Sequence, residues 1–277
     1  MANAPTKPTT TVKKEGSGSS LFATLTVPIC IAVAILIYIF ILGDASHFKG
    51  GDSSGDPNEG DLFGTMYKGG KLVPIGISYF LMLIVFSIER FIVIGKASGT
   101  ANVDAFVRKI QAALSTGNID AASAECDKQK GSVANVIKAG LKKYKEMETD
   151  QTLDVDQKTL AIQKDIEEAT ALEMPMLEQN LTIIATLVSI GTLTGLLGTV
   201  IGMIKAFAEL SGAATNTSAL SAAISEALVN TAMGITTSAL SIVMYNVFTS
   251  KIDGLTYAID ETGFSIVQTF AASHKNK

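Results

Sequence analysis

Four stretches of this chain, residues 21–42, 73–94, 181–208 and 222–249, are apolar for about the 20 residues that a helix needs to cross the hydrocarbon of a bilayer. The chain is 47% hydrophobic with a mean hydropathy of +0.35, and the apolar residues cluster in these runs instead of spreading along amphipathic segments. The pattern predicts an all-α, polytopic helical membrane protein, with long helices extending into a cytoplasmic helical domain. Residues 1–20 are rich in Thr, Lys, Ser and Gly, lack apolar groups to bury, and read as a disordered leader. The run 21–42 exceeds the length of about 7–15 residues of a signal-peptide core and has no Ala-x-Ala site after it, so it reads as a retained span.

The polar segments set the organisation. Residues 43–72 hold Gly-Gly, Ser-Ser-Gly and Asp-Pro, which are turn signals, and then the amphiphilic stretch 61–67, which predicts a loop followed by a short interfacial helix. Phe63 and Tyr67 fit aromatic anchors at headgroup level, with a partner-docking surface as the alternative. Residues 95–180 predict a helical domain: Val103, Phe106, Val107, Ile110 and Leu114 recur at helical spacing, and further amphipathic stretches follow. A longer helix capped by Asp154 or Asp156 is expected to run on into the third span, bent by Pro175. A loop at 209–221 joins the last two spans, and 250–277 reads as a tail helix. Lys7, Lys13 and Lys14 precede the first span, while the segment after it holds Asp44, Asp52, Asp56, Glu59 and Asp61. By the bias of Lys and Arg toward the inner face, both termini and residues 95–180 are expected in the cytoplasm, with the 43–72 and 209–221 segments outside.

Several function classes drop out on composition. The net charge of −4 gives no basic patch for nucleic acid. His47 and His274 are the only histidines, one in the outer segment and one at the tail, so neither a histidine-based triad nor a metal cluster is expected, and no cofactor. Cys30 and Cys126 sit in different environments and read as free thiols.

What remains is polar chemistry inside the last two spans. Gly191, Gly195, Gly198 and Gly202 fall within roughly 60° of one another on a helix, a stripe where another backbone can approach, and assembly of copies through this stripe is expected. On the fourth span Glu226, Asn230, Gly234, Thr237 and Ser241 share an arc of roughly 80°. An acid this close to hydrocarbon needs a partner or water, which makes Glu226 a candidate for an ion path; packing, with Glu226 at the water interface, is the alternative. Thr199 lies beside the glycine stripe and Thr231 follows Asn230, each able to pass a hydrogen bond or to bond its own helix. Lys205 is expected to pair with Glu209 one turn on.

The motifs GLLGTVIGMIKAF at 195–207 and ISEALVNTAMG at 224–234, with Tyr245-Asn246-Val247-Phe248 after them, resemble the MotA/TolQ/ExbB proton-channel family, with ExbB the nearest type. The resemblance runs from Ser87-Ile88-Glu89-Arg90-Phe91 to Phe248. Where relatives often carry Ala-Pro before the glycine motif, this chain has Gly191-Thr192-Leu193-Thr194, and it lacks the proline many carry in the last span. Relatives commonly have three spans, so 21–42 is an added helix. The resemblance implies a homopentamer in the bacterial inner membrane, with an ExbD-like single-span protein in its pore that carries the proton-binding aspartate. It implies that Thr199, Thr231 and Glu226 line the proton path, and that the motor uses the proton motive force to act on a TonB-like protein. A TolQ-like role in envelope maintenance, a motility stator and a non-conducting membrane scaffold are the alternatives.

Overall fold

A computed structural model describes residues 17–53, 55–210 and 217–274, with side chains from Phe22 onward. It is built of nine α-helices with no strand among the described residues: α1 (Ser17–Leu36), α2 (Leu62–Tyr67), α3 (Val73–Ser98), α4 (Val103–Ser115), α5 (Ile119–Gln129), α6 (Gly131–Thr149), α7 (Val155–Glu178), α8 (Leu181–Leu210) and α9 (Thr217–His274). Helices α1, α3, α8 and α9 each contain a segment long and apolar enough to cross a membrane. The protein is therefore an all-α, multi-pass membrane protein.

Most of the expected leader lies outside the described residues, and its last four, 17–20, already belong to α1. Helix α1 continues through a π-helical segment, Ile37–Leu42. The 43–72 segment is folded more tightly than its turn-rich sequence suggests. Asp61 caps α2 by accepting from the amides of Phe63 and Gly64, and the His47 ring sits 2.7 Å from its carboxylate. The hydrogen bond from His47, with those two amides behind it, holds the Asp61 carboxyl below its ordinary value. The Tyr67 ring stacks on Tyr38 at 4.7 Å and meets Phe48 at 5.4 Å, tying the 43–72 segment to the end of the first span. Phe63 is the ring left half exposed.

Caps explain the starts of the polar helices. Asn102 and Asn118 accept from the first-turn amides of α4 and α5, and of the two expected caps Asp154 is the one used, in a reciprocal capping box with Gln157. Helices α4, α6 and α7 close around the far half of α9, burying Phe106, Ile110, Leu114, Ile137, Leu141, Ile162, Ile259, Ile266 and Phe270. The tail helix expected at 250–277 is, over its described residues, the continuation of α9, which runs unbroken over 58 residues from the last span into this core. The connection expected at 209–221 is also shorter, since α8 extends to Leu210 and α9 begins at Thr217.

The joint between α7 and α8 departs most from the sequence reading. Pro175 stays inside α7, and the break comes at Gln179–Asn180, where Asn180 adopts φ +62°. Residues past a helix end leave carbonyls without partners. Arg90, on α3 and only 1% exposed, donates to the carbonyls of Met176 (3.2 Å) and Leu177 (3.0 Å). Its other face is held by the Glu89 carboxylate, which also accepts from the Asn180 side chain at 3.3 Å.

Candidate functional site

Helices α8 and α9 form an antiparallel hairpin, and the glycine stripe is where they meet. A methyl group at Gly191 would lie 3.1 Å from the Gly234 carbonyl oxygen, and one at Gly202 would lie 2.6 Å from Ala227 Cβ. Gly195 faces the backbone of Asn230, Thr231 and Gly234 at 3.3 Å, and Gly198 abuts Asn230 Cβ. The backbone that fills the stripe belongs to α9 of the same chain, so the stripe is not free to join copies, contrary to its expected role. Two groove-forming faces on one hairpin satisfy each other first because their connection is short.

Polar groups of α9 are placed by this contact. Asn230 is 5% exposed; its side-chain amide donates to the carbonyl of Gly69 at 2.8 Å and to that of Glu226 at 3.0 Å. It thereby pins the turn before α3 onto the hairpin. Ser238 donates to Val188 at 2.6 Å, and buried Ser241 returns its proton to the Thr237 carbonyl. These are packing bonds within a membrane bundle.

Thr199 and Thr231 stand beside the stripe, partly buried, with their hydroxyl oxygens 2.5 Å apart. Thr199 also reaches the Gly195 carbonyl at 3.2 Å, and Thr231 reaches the carbonyls of Gly195 at 3.1 Å and Ala227 at 3.0 Å. Each hydroxyl owns one proton. Either threonine can donate to the other while the acceptor passes its own proton to a carbonyl, so the pair is satisfied in both directions. A hydrogen bond that reverses without loss of partners is the minimal requirement for relaying a proton.

Glu226 lies five residues before Thr231, about 7.5 Å along the helix axis. Both of its carboxylate oxygens are 2.7 Å from the Lys205 ammonium nitrogen. Among the described residues Lys205 pairs with Glu226 across the hairpin and not with Glu209. The glycine at position 70, at φ +75°, leaves the carboxylate its room: a side chain there would strike Glu226 Oε1. The described residues hold no group of three or more His, Cys, Asp or Glu able to ligate a metal.

Sequence reasoning singled out Thr199, Thr231 and Glu226 but missed Lys205 as the partner of Glu226, Asn230 as the clamp on Gly69, and Arg90 as the anchor of the α7–α8 joint. The signal for Arg90 was its place at the end of an apolar run with Glu89 beside it.

Residues 128–261 match the family model described as the MotA/TolQ/ExbB proton channel family. The match starts beyond Ser87–Phe91, which formed the near end of the resemblance, and extends past Phe248 into the polar half of α9. An ExbB-like biopolymer transport protein of Synechocystis sp. is 38% identical over 88 residues, covering 31% of this chain and 42% of that protein. The chain thus spans less than half the length of this curated relative. The matched stretch contains all of α8 and α9 as far as residue 261, with their glycines, threonines and Lys205–Glu226 pair, and it is over this stretch that the chain is similar to the MotA/TolQ/ExbB proton channel family.

Proposed function

We propose that this chain is the membrane-embedded, stator-type subunit of a proton-driven motor and not an enzyme. In this reading copies assemble, as a homopentamer, in a bacterial inner membrane with both termini in the cytoplasm. An ExbD-like single-span protein occupies the pore and its acid exchanges protons with Thr199 and Thr231, while Glu226 marks the outer end of the path. Each proton crossing 100 mV releases about 2.3 kcal/mol, which drives the ring and its core against each other. A TonB-like protein then carries the force to outer-membrane transport; envelope maintenance of the TolQ kind and motility are the other uses of the same core.

The observation that carries the reading is the reversible hydroxyl pair, Thr199 to Thr231 at 2.5 Å, beside a carboxylate on the same helix. The match of residues 128–261 to the model of a proton channel family supports it. So does the exposed apolar face of α8 at Leu193, Leu196, Val200 and Ile204, which needs lipid or neighbouring helices against it.

The test is proton flux into membrane vesicles that hold the protein with its co-purifying single-span partner. Thr199→Val and Thr231→Val keep shape and remove the hydroxyls. Flux is expected to fall by about a hundredfold, the low end of what a positioned proton-transfer group contributes, with assembly unchanged. A double variant that assembles and conducts normally would take the threonines out of the path, and an unaltered complex that assembles but carries no flux would show a non-conducting scaffold instead.

A further inference from the structure

We propose that Lys205 is a positioning residue for Glu226, and that their ion pair is a latch over the outer end of the α8/α9 hairpin that opens when Glu226 takes up a proton. This rests on the proton-path reading of the hairpin and adds its regulation.

The geometry supports a latch over incidental contact in three ways. First, one ammonium nitrogen sits 2.7 Å from both carboxylate oxygens, so the cation bridges the group symmetrically. Second, the partners lie 21 residues apart on opposite arms of the hairpin, so the pair joins two helices, unlike the within-helix pairing with Glu209 that the spacing allows. Third, the two ends are unequally held. The Lys205 side chain is 51% exposed and that of Glu226 only 16%. The lysine can swing on its four-carbon stem into water while the carboxylate stays under the Gly69–Gly70 turn. Asn230 gives Glu226 no help, since its amide protons go to backbone carbonyls, and among the described residues Lys205 is the side chain that donates to the carboxylate.

The step balances simply. In the closed state Glu226 is a carboxylate and Lys205 an ammonium. On opening, Lys205 keeps its proton and turns to water, and Glu226 accepts a proton from the outer medium to become the neutral acid. When that proton moves inward the carboxylate returns and the pair re-forms. The neutral acid no longer attracts the ammonium, so loading of the path and release of the latch are one event. Around Glu226 the charged and titratable groups are Lys205 of α8, with Glu209 one turn on, and the Tyr38 phenol at the end of the first span, which interacts electrostatically with Glu226; the Gly69–Gly70 turn contributes backbone alone.

The experiment measures proton flux against outer pH in vesicles containing the protein and its co-purifying partner, with oligomer size recorded for each variant. Lys205→Met is expected to displace the half-maximal point from its original pH, because the carboxylate loses the cation that bridges both of its oxygens. Lys205→Arg, which keeps the cation, is expected to restore the original profile. A purely structural role for Lys205 would lower the amplitude and leave the midpoint in place. An unmoved midpoint in Lys205→Met, with Glu226→Gln impaired, overturns the latch and leaves the proton path standing. Normal flux in Glu226→Gln and in the threonine double variant overturns the path itself. If Lys205→Met fails to assemble, Lys205→Gln replaces it and is read the same way.

Discussion

A methyl group on Gly234 would come within 2.5 Å of the Gly191 carbonyl oxygen and 2.8 Å of Gly195 Cα. Both obstacles are backbone, which cannot rotate away, so Gly234→Ala must separate α8 from α9. The expected cost is about 1–3 kcal/mol, as for other overpacked contacts. Gly254, further along the same helix, has no heavy atom within 4 Å of its would-be methyl, and Gly254→Ala should be neutral or stabilise by up to about 1 kcal/mol through helix propensity. Thermal unfolding of the two variants in detergent separates these outcomes; equal midpoints would mean the hairpin does not depend on close approach. The glycine face was legible because helical period assigns residues to a face. Its occupant was not, since period says nothing about which helix arrives. For the same reason Lys205 was matched to the acid one turn away: a pair 21 residues apart depends on the register of two helices, which only the close approach at the glycines fixes.

Among the connections between elements, the α7–α8 joint depends on a side chain from a third helix. Helix α7 tolerates Pro175 and ends where Asn180 turns left-handed, a conformation Asn accepts more readily than most residues. The released carbonyls of Met176 and Leu177 lie on Arg90. Arg90→Met would leave two carbonyls without their donor and the Glu89 carboxylate with the Asn180 amide alone, and breaking a buried pair in this way costs about 3–5 kcal/mol. Arg90→Lys should recover only part, because an ammonium cannot span carboxylate and carbonyls as a planar guanidinium does. Unfolding midpoints and proteolysis at the joint report the difference; wild-type resistance in Arg90→Met would mean that α7 needs no such anchor. Sequence revealed the proline, a visible breaker, but the break followed the residue that could adopt positive φ and the cation able to cap the end.

At the scale of the whole molecule the spans and their order were legible from hydropathy, whereas the folding of the 43–72 segment onto Tyr38 was not, because it depends on ring contacts between residues 29 apart. Orientation is open to direct measurement. Single cysteines at exposed Glu59 and Thr217 are expected to react with an impermeant thiol reagent applied from outside, and one at exposed Ser115 only after the membrane is opened. The native thiols should stay silent: Cys30 and Cys126 are both buried, and burial pushes Cys126 up to about 12, leaving almost no thiolate at neutral pH. Labelling at Ser115 from outside would invert the orientation.

Helix α9 carries Glu226 and Thr231 near one end and the buried Phe270 near the other, within a single run of 58 residues. At 1.5 Å per residue it is a rod about 87 Å long. A tilt of about five degrees pivoting at one end of such a rod carries the other end through about 8 Å, more than a helical turn. Small angular adjustments beside the threonines therefore arrive in the polar domain as a lever's stroke, without any intervening loop to absorb them.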